Sequence, residues 1–132
     1  MSIIKQIIYL IDLDVPLLTL EKQEQLCRAL CIAEGEIIVI KETGKAHEDF
    51  LRYFLNIDRN TYYIIIVASL CCFDRNGKER IDKLDKLPSN TFIKSFIDGC
   101  EMKYPTTPQE ELLLTTFSGL ARIILERWRL LY

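Results

Sequence analysis

Three runs of apolar, largely β-branched residues, none alternating with polar ones, constrain what this chain can fold into. Ile7-Ile8-Tyr9-Leu10-Ile11 stops at Asp12, Ile37-Ile38-Val39-Ile40 stops at Lys41, and Tyr62-Tyr63-Ile64-Ile65-Ile66-Val67 stops at Ala68-Ser69. A strand with one wet face alternates, whereas unbroken apolar runs need cover on both faces, which helices on either side of a parallel sheet provide. Segments of helical spacing separate the runs and predict β-α-β-α-β through the first half, with right-handed crossovers. The expected fold is a three-layer α/β domain with a mainly parallel sheet of three or more strands, flanking helices and a long C-terminal helix. With 132 residues the chain matches the commonest domain size and is read as a single domain over 1–132.

The first predicted helix runs from Glu21 to Ala33, carried by Leu26, Leu30 and Ala33, with Gly35 placed as its C-terminal cap. The second runs from His47 to Leu55, with Phe50, Phe54 and Ile57 on one face. After the third strand, Asn76-Gly77 is a hairpin-turn signal, with a helix over 78–87 as its rival. Ser89 or Asn90 is expected to cap a further helix through Phe92, Ile93, Phe96 and Ile97, up to Gly99, and 104–108 reads as a linker. Thr107-Pro108-Gln109-Glu110 then opens the most sharply marked helix, with an N-cap, a proline at the first position and an acidic residue in the first turn. Its polar residues, Glu111, Thr115, Ser118, Arg122, Glu126 and Arg129, form one stripe, and nearly everything else is apolar. A helix polar along only one stripe needs cover beyond its own sheet, from the same domain or from a second chain. Phe117, Leu120, Ile124, Trp128 and Leu131 are the candidate interface residues.

Charge excludes some partners. The 17 basic and 19 acidic residues nearly cancel, and the basic cluster Lys78, Arg80, Lys83 and Lys86 is interleaved with Glu79, Asp82 and Asp85, so no nucleic-acid footprint forms. No stretch reaches the apolar length of a membrane span, and no signal-peptide pattern opens the chain, so a cytoplasmic protein with no membrane contact is expected. The odd count of five cysteines points to reduced thiols.

In parallel sheets, ligands and functional groups gather at the carboxyl edge, which directs attention to Asp12, Asp14, Ser69, Cys71, Cys72 and Asp74. Asp12 and Asp14 flank Leu13 and offer hard oxygen ligands suited to Mg²⁺. The string from Ile11 to Leu18 resembles the first motif of haloacid-dehalogenase-type phosphatases. That resemblance implies Asp12 as nucleophile, Asp14 as acid/base and Ser69 as a phosphate-binding hydroxyl. Val15-Pro16 stands where that family carries Gly-Thr, and no later acidic pair completes a metal site. Cys71-Cys72 at a strand end, with His47 the single histidine, is loosely similar to the caspase-like class, without its His-Gly pair or its cysteine signature. Both thiols are expected to be buried and slow to react, since no cationic neighbour favours the thiolate. Cys27 and Cys31 share a helix face but have no second pair to complete a zinc site, so core packing is expected. Gly44-Lys45-Ala46 lacks the upstream glycine and the Ser/Thr of a P-loop.

With no complete active site, the sequence reads as a non-enzymatic intracellular regulatory or adaptor domain. It would act through self-association or a partner subunit and need no cofactor. The alternative is a small Mg-dependent phosphatase or nuclease-like enzyme using Asp12 and Asp14.

Overall fold

A computed structural model of the chain describes residues 3–13, 18–43, 47–54, 60–69, 72, 91–97 and 99–103. The three apolar runs are strands β1 (Ile3–Leu10), β2 (Glu36–Lys41) and β3 (Thr61–Val67), with helices α1 (Leu20–Arg28) and α2 (Glu48–Phe54) between them, followed by β4 (Thr91–Ser95) and β5 (Cys100–Lys103). They form one sheet in the order β2-β1-β3-β4-β5. The first four strands are parallel, and β5 returns antiparallel on β4. Central β1 pairs Lys5 with Glu36 on one side and with Tyr63 on the other.

Burial explains the unbroken runs of β1 and β3. Ile7, Tyr9 and Ile11 join Phe50 of α2, Tyr63, Ile65, Val67 and Ile93 on one side of the sheet, while Ile8 and Leu10 join Cys27 of α1, Leu18, Ile64, Ile66 and Ala68 on the other. Successive residues of β1 thus enter opposite cores, each such burial contributing about 1.5–3 kcal/mol. Among the described residues one helix packs on each face, so the α/β class is as read, with four parallel strands.

Several expectations are corrected. Residues 91–95 are a strand and not a helix: Thr91, Ile93 and Ser95 are buried, Phe92 and Lys94 half-buried, a period of two. The chain then turns at Phe96, Ile97 and Gly99, the glycine taking φ 61°, and β5, which hydropathy did not suggest, follows. α1 stops at Arg28, short of Ala33, because the chain beyond it is claimed by β1: the Gln6 amide accepts from Ile32 N–H (2.8 Å) and donates to Ile32 C=O (2.9 Å). Gly35 accordingly caps no helix; with φ 144° it enters β2 where a Cβ would meet Ile4 at 3.1 Å. The expectations for the Asn76-Gly77 turn, residues 78–87, Asp14, Cys71, Asp74 and the C-terminal helix with Phe117, Leu120, Ile124, Trp128 and Leu131 lie outside the described residues.

Candidate functional site at the carboxyl edge

The order β2-β1-β3 makes the chain step one way from β1 through α1 and the other way from β2 through α2. The carboxyl ends of β1 and β3 therefore flank the point where the order reverses, where open α/β sheets hold ligands. Asp12 follows β1 there and is exposed, whereas Ser69, after β3, is completely buried, its carbonyl accepting from Cys72 N–H at 3.0 Å. The two candidates share the edge but not the surface.

The densest polar cluster at this edge was not singled out by the sequence. The Tyr9 hydroxyl, at the end of β1, donates to Glu42 Oε1 at 2.8 Å and lies 2.6 Å from His47 Nδ1. The Glu42 carboxylate also accepts the backbone N–H groups of Asp49 (3.0 Å) and Phe50 (3.1 Å), meeting two of the orphan donors of α2. His47, the residue before α2, is held at φ 58°, a left-handed conformation that costs free energy outside glycine. Tyr9, Glu42 and His47 are at most 8% exposed. Burial, followed by hydrogen bonding to Glu42 and its charge, pushes the Tyr9 hydroxyl far above the ordinary phenol range.

Asp49 closes the same connection from outside. Thr43 N–H (2.8 Å) and Thr43 Oγ1 (2.7 Å) both donate to its Oδ2, and these bonds hold its carboxyl below the usual range.

On the α1 side, Gln23 is fully buried and bridges the loop that leaves β1: Nε2 donates to Ile11 C=O (2.8 Å) and Leu18 C=O (3.1 Å), and Oε1 accepts from Ile11 N–H (3.4 Å). Cys72 is also fully buried, as expected, and its thiol reaches Gln23 Oε1 at 3.8 Å. It packs in the core with Tyr9 and Phe50. Cys27 is core as well, its thiol pushed up to about 12, first by burial and then by Cys31 and Glu24. Among the described residues no three His, Cys, Asp or Glu side chains converge as a metal site, and no helix is long and apolar enough to cross a membrane.

No protein-family model, curated protein or solved structure matches the chain.

Proposed function

We propose that this chain is a non-enzymatic regulatory or adaptor domain that associates with another protein, a second copy or a partner subunit, through the apolar sides of its segment 109–131. The supporting observation is the role of the polar groups at the carboxyl edge. Glu42, Tyr9, His47 and Gln23 tie strands, loops and helix starts together below the surface. A carboxylate that accepts three protein donors is engaged in architecture and poorly placed to take a substrate proton. The test replaces Ile124 and Trp128 with glutamate and measures mass by light scattering. The expected result is a wild-type species heavier than one chain, or one partner recovered with it, and a folded monomeric variant. An insoluble variant would assign these residues to the monomer's own core. A wild type of single-chain mass over a wide concentration range, with no partner recovered, would end the proposal.

A second reading rests on Asp12, an exposed carboxylate beside the point where the strand order reverses. In it the protein is a Mg-dependent phosphatase or nuclease-like enzyme that holds the cation with Asp12 and Asp14. Mg²⁺ would then raise the melting temperature, because a ligand bound only by the folded state stabilises it, and Asp12→Asn would abolish the shift. An unchanged melt in millimolar Mg²⁺, with no hydrolysis of phosphomonoesters or nucleic acid, rules it out.

A further inference from the structure

Strand β2 is an outer strand, and among the described residues it pairs with β1 alone. Its other side carries backbone N–H and C=O groups in position to continue a sheet. Outer strands are normally guarded by proline, bulges or charges along their length. Between Glu36 and Lys41 this one carries Ile37-Ile38-Val39-Ile40 and none of those devices. Ile37 is 40% exposed, and Ile38, Val39 and Ile40 are only half-buried, although Ile7 and Ile8, which pair with Ile38 and Val39 from β1, are completely buried. Helix α1 does not overhang the strand's carboxyl end, since an open groove of about 390 Å³, lined by Leu20, Glu21, Glu24, Gln25, Arg28 and Lys41, lies between them.

The charges specify what fits. Glu36 opens the strand and Lys41 closes it, and both are exposed. Two copies related by a two-fold axis perpendicular to the sheet must run antiparallel at this edge, each presenting the same patch to the other. That arrangement lays the Glu36 end of each strand beside the Lys41 end of its mate, so opposite charges meet at both ends and the apolar residues meet between them. Parallel addition would set Glu36 beside Glu36 and Lys41 beside Lys41. We infer that β2 is a self-pairing edge, through which two copies of this chain join their sheets into one continuous antiparallel junction. The inference uses none of the residues of segment 109–131 and does not depend on the function proposed for that segment.

Charge reversal tests it, because both end residues are exposed and their exchange leaves the monomer fold intact. Glu36→Lys gives a strand positive at both ends and Lys41→Glu one negative at both ends, so each variant alone is expected to sediment lighter than wild type. An equimolar mixture of the two regains the wild-type mass as a heterodimer, and the double variant E36K/K41E regains it alone. Circular dichroism melts near the wild-type value confirm that the single variants fold. The inference is overturned if the single variants keep the wild-type mass, if the mixture fails to recover it, or if wild type has single-chain mass throughout. Mass lost on Ile124→Glu/Trp128→Glu but kept in the edge variants places association at the C-terminal segment and rejects β2; the converse result rejects that segment and supports β2.

Discussion

Tyr9 sits within an otherwise aliphatic run, and its hydroxyl is what joins β1 to the start of α2. Removing only the oxygen, by Tyr9→Phe, leaves Glu42 and His47 each short of a buried partner and is expected to cost about 1–3 kcal/mol in urea unfolding at neutral pH. The pH dependence has a definite sign. The native hydroxyl keeps its proton far above the phenol value of 10.0, while the unfolded chain releases it there, so above that pH the unfolded state binds fewer protons and stability falls as pH rises. Cys27 acts in the same direction from its ordinary 9.0 to about 12. Wild type should therefore lose stability from about pH 9 upward, and Tyr9→Phe should lose it less steeply, retaining the part due to Cys27, Cys31 and Tyr53, which burial also raises. Identical alkaline slopes in the two proteins would show that the Tyr9 hydroxyl titrates freely. Little of this cluster was legible beforehand, because Glu42 and His47 lie 33 and 38 residues from Tyr9 and apolar patterning carries no information about such pairs. One local hint was available: a lone histidine directly before Glu48-Asp49, acidic residues suited to a helix's first turn.

The elements divide by how their burial is encoded. β1 and β3 were legible because two covered faces leave an unbroken apolar run, which few other local structures produce at that length, and β2 shares the run although it is only partly covered. β4 was not, because its buried positions include Thr91 and Ser95 while half-buried Phe92 lies on the other side, so hydropathy conceals the period of two. Phe92, Ile93, Phe96 and Ile97 then imitate helical spacing. The far end of α1 was misplaced for a different reason: Leu30 and Ala33 continue the helical period, but a buried glutamine from β1 takes the Ile32 peptide groups. Tertiary pairing overrode a local preference worth only tenths of a kcal/mol per residue. Asp12 was correctly placed at a strand end because a strand's termination shows in the sequence, whereas the full burial of Ser69 depends on neighbours that its own segment does not reveal.

Across the molecule, the order β2-β1-β3-β4 places the first strand in the interior, held on both sides by strands that follow it in the chain. The β2–α2 connection is fastened to that strand at Tyr9, which meets both Glu42 and His47, and the consequence concerns how the protein opens. Turns at the carboxyl edge of such sheets are often the parts that open locally, at little free-energy cost, to admit ligands. Here the amides of Asp49 and Phe50 are held by Glu42, which is held by Tyr9 of the central strand. These two amides should exchange with deuterium as slowly as those inside β1 and β3, through global unfolding, and Tyr9→Phe should release them to fast local exchange without similarly affecting the strands. Rapid exchange of both in wild type would refute this. Slow exchange of both would place the first turn of α2, in kinetic terms, in the same cooperative unit as the middle of the sheet.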